Sequence, residues 1–343
     1  MKKLLNVLYV TTPDAYVSLD GENVVVRVEQ ETAARVPLHN LEQIMCFGYQ
    51  GASPALMAAC AKRDIGLCFF TSRGRFLARV SGEIRGNVLL RKRQYQISEN
   101  QEESVQIAKN FIIGKIYNCR KVLSRALRDH SLSIDAARVT QNLELLRNHM
   151  QQLDLCSSIQ DLMGMEGTAA KTYFSVFDEL ILKNKEHFFF RERTRRPPLD
   201  NVNAVLSFLY SILANDVASA LESVGLDPYV GFLHQDRPGR ASLALDMMEE
   251  LRPVFVDRLA LSLINRNQIS PNGFIQKENR AVYMTDETKK EILKAWQERK
   301  NDLITHPYLN EKIKFGLIPY AQSLLMARFI RGDIDGYPPF FWE

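Results

Sequence analysis

The chain has 343 residues, 46% hydrophobic and 24% charged, with 44 basic against 40 acidic side chains and a formal net charge of +4. This is globular composition, long enough for two domains and a large core, and it argues against a low-complexity or disordered chain. So slight a basic excess does not identify an acidic partner, and where the charge lies matters more than its sum. The five cysteines, Cys46, Cys60, Cys68, Cys119 and Cys156, contain no CxxC pair. An odd, scattered set argues against a disulfide framework and a cysteine zinc site, and points to buried thiols in a reducing cytoplasm.

The start, MKKLLNVLYV, has the look of a signal peptide, but Asn6 interrupts it and TTPD follows with no small-residue cleavage site, so it reads as a strand. No run approaches the ~18 apolar residues of a spanning helix, and no membrane is expected. LNVLYV, AYVSL, NVVVRV and ARVPL are short, rich in β-branched or aromatic residues and separated by turn signals, so they read as strands. LEQIMCFG, GLCFFT and GRFLARVS extend that pattern. Between them Ser53–Asp64 reads as a helix, with Ser53 as N-cap, Pro54 at the first helical position and an alanine-rich body. No catalytic cluster occurs in residues 1–84, so the expected role of this β-rich domain is dimerisation.

Residues 85–98 are expected as a linker; the segment 85–93 carries Arg85, Arg91, Lys92 and Arg93 and no acid. From Glu99 onward the period becomes helical, with Val105, Phe111 or Ile112, Ile116, Val122 or Leu123 and Leu127 on one stripe. A second helix is expected over residues 134–155. Ile159–Leu182 reads as one helix with Leu162, Ala169, Tyr173, Val176 and Leu180 as its apolar face. Glu166 falls on that face, four residues after Leu162 and three before Ala169. A buried carboxylate needs a partner, which is a cation, an arginine or a metal. Gly164 and Gly167 are each unfavourable in a helix by about 1 kcal/mol and suggest close approach to the backbone.

Lys183–Arg196 holds six basic against two acidic residues and embeds Phe188, Phe189 and Phe190. Basic side chains among aromatics suit phosphates and unpaired bases, so Arg191, Arg193, Arg195 and Arg196 join Arg91, Lys92 and Arg93 as DNA-binding candidates. The competing reading is a solvated loop with the phenylalanines packed inward. DNVNAVLSFLYSIL then reads as an apolar helix whose Asn201, Asn203 and Tyr210 are either polar anchors near a site or caps and core. Gly231–Asp257 gathers His234, the loop QDRPGR and a helical run with Asp246, Glu249 and Glu250. Helical spacing sets Asp246 beside both glutamates. This stretch is either a metal and phosphate site or a histidine before a turn and a solvated acidic face. No P-loop, GxGxxG, HExxH or GxSxG motif occurs, which removes support for nucleotide hydrolases, Rossmann dehydrogenases, zincins and α/β-hydrolases.

EGTAAKTYF, DNVNAVLSFLYSIL and GLDPYVGFLHQDRPGRASLALDMMEELRPVFVDRLALSLINR, in that order and spacing, resemble the signature blocks of the CRISPR-associated integrase of spacer acquisition, the Cas one family. The N-terminal sequence is similar to its type I-C branch. The resemblance implies an α+β chain: a small N-terminal β-rich domain, then a larger all-α domain over residues 99–343 that carries the metal site. It implies Glu166, His234 and Glu249 as metal ligands and catalytic residues. Asp246, Glu250, Tyr173, Asn203, Arg237 and Arg240 would support the ligands or contact phosphate. It also implies a homodimer, a Cas two partner, and DNA as both fragment and repeat array. Two carboxylates and a neutral imidazole suit Mg²⁺ or Mn²⁺. The alternatives are a non-catalytic DNA-binding scaffold, a plain metal-dependent nuclease and a hydrolase of small phosphoesters.

Overall fold

The structure is a computed structural model and describes residues 6–29, 31–82 and 87–343. Leu5, Arg85 and Gly86, which belong to the expected first strand and linker, lie outside the described residues. The chain divides into two compact units, Met1–Arg85 with Thr285–Asp302, and Gly86–Met284 with Leu303–Glu343.

The first unit is built on strands β1 (Asn6–Val10), β2 (Tyr16–Asp20), β3 (Asn23–Val28), β4 (Glu31–Pro37) and β5 (Leu41–Phe47), helix α1 (Pro54–Lys62), and strands β6 (Gly66–Phe70) and β7 (Phe76–Val80). β2–β3–β4 form an antiparallel meander. The other sheet runs β1-β5-β6-β7, parallel across its first two pairs and antiparallel at the last. Parallel neighbours need a crossover, and α1 supplies it between β5 and β6. Ser53 caps α1 by accepting the Leu56 N–H at 3.2 Å. Val17, Val24 and Val26 of the meander meet Ile44, Leu67, Leu56 and Cys60 in one core. The helix Asp286–Lys300, expected among the C-terminal helices, clusters with this unit. Its Ile292, Leu293 and Trp296 are buried, and Lys300 pairs with Glu42 at 3.2 Å.

The second unit contains α2 (Val88–Glu99), α3 (Gln101–His130), α4 (Ala136–Gln152), α5 (Ile159–Phe174), α6 (Asn201–Ser223), α7 (Ser242–Arg252) and α8 (Arg258–Asn265), and a last helix, Ile318–Arg331. It is not purely helical: Phe274–Gln276 pairs with Val282–Met284, and Leu303–Thr305 with Lys312–Lys314. The segment expected as a linker is mostly α2. Its buried Gln94 donates to the carbonyls of Asp227 and Val230 at 2.8 and 2.9 Å, and this anchors the helix to its own unit. The helix expected over Ile159–Leu182 stops at Phe174 and resumes as a 3₁₀ turn, Phe177–Leu180. Ser175 explains the break, because its hydroxyl bonds Thr172 O and Asn142 Oδ1 and competes with the helical ladder. α6 is long and apolar enough to cross a membrane, but 67% of its most apolar window is buried within the protein, as befits a core helix. All five cysteines are buried and none forms a disulfide among the described residues.

Candidate active site

α3 packs against both α5 and α7, and the site forms where the three helices meet. Lys115 of α3 lies four residues after Phe111 and four before Cys119, both buried, so its stem runs in the core. Its ammonium reaches Glu166 Oε1 on α5 and Glu249 Oε2 on α7, the latter at 2.7 Å. Arg252, one turn further along α7, pairs with Glu249 Oε1 at 3.1 Å. Burial pushes the Glu249 carboxyl up, but Arg252, Lys115 and His234 together outweigh it and hold the group well below the usual carboxylate range. For Lys115 burial acts downward, and Glu249 and Glu166 reverse it, so its ammonium is held more firmly than usual. Both groups are therefore charged at neutral pH.

His234 is presented by the loop between α6 and α7, and Asp246 fixes that loop. The buried Asp246 carboxylate accepts the backbone N–H groups of Phe232, Leu233 and His234 at 2.7, 2.9 and 3.0 Å, and His234 Nδ1 at 2.6 Å. A carboxylate only accepts, so Nδ1 carries a proton, and in the neutral form of the ring Nε2 presents its lone pair. Gly231 permits this packing, since a Cβ there would lie 2.7 Å from Asp246 Oδ2. A cleft of about 340 Å³ opens beside His234, lined by Ser98, Ser104, Gln160 and Phe232 among others.

The glutamate on α5 differs from expectation in one respect. Its side chain is 26% exposed, at the rim of the apolar face, and its partner is a lysine. Gly164 and Gly167 face open space: among the described residues, a methyl group at either position would meet nothing within 4 Å, so no described backbone approaches there. Glu250, expected beside Glu249, turns away. It accepts Tyr337 Oη, Gln322 Nε2 and the Phe340 N–H, and burial raises its carboxyl to about 7 against those donors. Between α7 and α8 the helix widens into a π turn, Pro253–Asp257. Pro253 has no N–H to offer the Glu249 carbonyl. The turn places Asp257 against Tyr210, which donates to Oδ1 at 2.5 Å, and near buried Tyr173.

The expected DNA-contact residues divide. Arg237, Lys92, Arg191, Arg195 and Arg196 are exposed, and Arg91 and Arg240 are half-buried. Arg93 is exposed and pairs with Glu103 at 2.5 Å. Arg193 is turned inward: it bonds Asn203 Oδ1 and Ser207 Oγ at 2.6 and 3.1 Å and stacks on Tyr210. Asn203 belongs to that loop lock, bonding Asp200, Thr194 N and Glu192 O, and does not face the carboxylates. Phe188 and Phe190 pack inward, while Phe189 is exposed under Arg191. Sequence reasoning passed over Lys115, Arg252 and Asp257. Lys115 carried a usable signal, because a lysine inside the apolar stripe of α3 poses the same question as Glu166 on α5.

Among the described residues, no three His, Cys, Asp or Glu side chains converge closely enough to hold an ion as they stand. The donor set nevertheless fits a hard divalent cation. Two carboxylates already flank one positive charge, and Glu249 Oε2 is buried with no hydrogen bond directed onto it.

Residues 8–298 match the family model described as CRISPR associated protein Cas1. The chain is 50% identical, over the whole of both sequences, to CRISPR-associated endonuclease Cas1 2 of Rhodospirillum rubrum. Its fold matches a solved casposase bound to integration product with a TM-score of 0.85 at 22% identity, covering 99% of this chain and 95% of that one. It also matches a chain of a Cas6-RT-Cas1–Cas2 complex with a TM-score of 0.82 at 22% identity, covering all of this chain and 36% of that one. With a family model spanning most of its length and a relative this similar from end to end, the chain belongs to the Cas1 family of CRISPR-associated proteins.

Proposed function

We propose that this chain is a metal-dependent DNA endonuclease and integrase of CRISPR adaptation, which joins 3′-OH ends of DNA fragments to the repeat array. The observation that carries the reading is the meeting of Glu166 and Glu249, from distant stretches, on one cation position beside a histidine oriented through Asp246. Membership of a family whose relatives are named endonucleases supports it. The likeness in fold to a casposase on its integration product favours joining over cutting alone.

Glu166, His234 through Nε2, and Glu249 would hold Mg²⁺ or Mn²⁺. When bound, such an ion polarises a phosphodiester and eases deprotonation of the attacking hydroxyl. The chain's own residues do the rest. Asp246 holds the imidazole in one tautomer and one orientation. Arg252 keeps Glu249 ionised from the side away from Lys115. Exposed Arg237 and the neighbouring Arg240 sit on the loop that carries His234, where guanidinium groups suit phosphate oxygens. In the reaction the fragment's 3′ oxygen bonds to phosphorus, the bond to the repeat strand's 3′ oxygen breaks, and one proton passes from the first oxygen to the second. One phosphodiester replaces another, so no energy source is needed. The first unit would pair two copies of the chain, and the fold match to a Cas1–Cas2 assembly supports a small Cas2 partner.

The test offers a labelled fragment with a 3′-OH or a 3′-deoxy end to a supercoiled repeat-bearing target with Mn²⁺ and the Cas2 partner. Joined product is expected only from the 3′-OH end. Equal nicking from both ends with no joining leaves a plain nuclease, and no metal-dependent chemistry at all leaves a DNA-binding scaffold.

A further inference from the structure

We propose that Lys115 is the resident counter-ion of the Glu166–Glu249 pair, and that a divalent cation enters the site by displacing its ammonium. The inference rests on the metal reading above and goes beyond it. One ammonium touches both carboxylates, from a side chain only 9% exposed. An ion held by the same two carboxylates would occupy the space that Nζ fills. Lysine and metal therefore exclude each other from the bridging position, since two cations there would repel strongly in so sheltered a place.

The geometry suits exchange. Glu249 Oε2 lies 2.7 Å from Nζ but receives no well-directed hydrogen bond, so this contact is the less firmly oriented of the two that Lys115 makes. Arg252 grips the other oxygen, Oε1, and keeps Glu249 oriented while its partner changes. Entry lies on the exposed side, where Glu166 is 26% and His234 is 17% exposed. A lysine suits the role because its charge rides on a flexible four-carbon stem that can withdraw without moving α3. The arrangement lets the chain stay folded without metal, as buried Glu249 and half-buried Glu166 with no cation between them would repel. It also makes metal affinity the outcome of a competition.

The experiment uses the full chain, stripped of metal, as wild type, Lys115→Met and Lys115→Arg. Mn²⁺ binding is followed by loss of the free-ion EPR signal, and thermal unfolding is followed with and without Mn²⁺. Lys115→Met should bind Mn²⁺ tighter by roughly tenfold or more, unfold at a lower temperature without metal, and regain that loss when Mn²⁺ is added. Lys115→Arg should stay near wild type in metal-free stability and gain no affinity. A second measurement covers a poorly folding Met variant: in wild-type crystals soaked in Mn²⁺, anomalous density should lie between the carboxylates with Nζ outside ion-pair distance of Glu249. Nζ still bridging both carboxylates would overturn the proposal. Wild type that binds Mn²⁺ while Lys115→Met binds it no tighter sinks this inference alone. Wild type that binds none removes the metal reading as well.

Discussion

Both oxygens of Asp246 are committed to the backbone and ring of the His234 loop, whereas Glu249 faces two cations. Two neighbouring acids on α7 thus have separable roles. Asp246→Ala strands buried N–H groups, each costing about 1–3 kcal/mol, so urea unfolding should report a loss of roughly 3 kcal/mol or more. Glu249→Gln keeps the shape and should abolish metal-dependent DNA chemistry, and it should also lower stability, because it removes the charge that Lys115 and Arg252 share. Glu166→Gln and His234→Ala should abolish the same chemistry. Activity retained in Glu249→Gln would mean that another group is the third ligand. Asp257 gives a pH signature. Burial raises its carboxyl from 3.8 to about 6, against the bond donated by Tyr210, the nearby Tyr173 hydroxyl and the charges of Arg193 and Arg252. The folded state therefore keeps the proton where the unfolded chain has lost it. This contribution to stability is full below the unfolded pKa and is lost as pH rises through the folded one. Wild type should lose stability relative to Asp257→Asn between about pH 4 and 6, then run parallel to it. Urea titrations of both across that range decide the matter, and a constant difference would mean Asp257 is ionised throughout.

α3 organises the second unit, and three neighbouring positions on it show how. Gly114 lets α7 approach, Lys115 meets the carboxylates, and Asn118 bonds the carbonyls of Glu250 and Phe340 at 2.7 and 2.8 Å. Gly114→Ala would gain about 1 kcal/mol in helix propensity. The new Cβ, however, would lie 2.9 Å from Glu250 Cβ and 3.1 Å from Pro339 Cβ. Overpacking costs about 1–3 kcal/mol and outweighs the gain, so the variant should unfold at lower urea; a stabilised variant would show that α3 and α7 can separate freely. The helices of this unit were legible because their periods are local, as was α1 of the first unit, whose start Ser53 announced as a cap. The break after Phe174 was not, because it depends on Asn142 of another helix. Nor was the placement of Asp286–Lys300, whose amphipathic pattern gives its apolar face but not the core that face meets. The site divides likewise. Glu166, His234 and Glu249 stood out by type and by resemblance, while the pairing of Lys115 with two of them requires helices brought together by folding. Arg193 misled in the other direction, since its neighbours in sequence are basic but its neighbours in space are Asn203, Ser207 and Tyr210.

For the molecule as a whole, the question is how an almost balanced charge meets a long polyanion. A dimer doubles any basic surface and supplies two sites for two DNA ends, so light scattering should report about twice 39.3 kDa; a clean monomer at micromolar concentration would count against the first unit as an interface. Position separates the basic residues further. Arg191, Arg195 and Arg196 are exposed on one segment, Lys92 and Arg93 on α2, and Arg193 is locked inward within the same run. A phosphate contact releases condensed counter-ions, so each one lost should flatten the log–log dependence of duplex affinity on salt by about 0.9. Arg195→Gln with Arg196→Gln should therefore lower both affinity and slope, equally for unrelated sequences, without changing the urea midpoint. Arg193→Gln should behave in the opposite way. Removing its bonds to Asn203 and Ser207 frees the loop before α6, so stability falls while the slope stays with wild type. Arg93 belongs between the two, because its pair with Glu103 must open before it can meet a phosphate. A slope unchanged by the loss of Arg195 and Arg196 would make that segment a solvated face and move the DNA path elsewhere, with the loop of Arg237 and Arg240 as the next surface to neutralise.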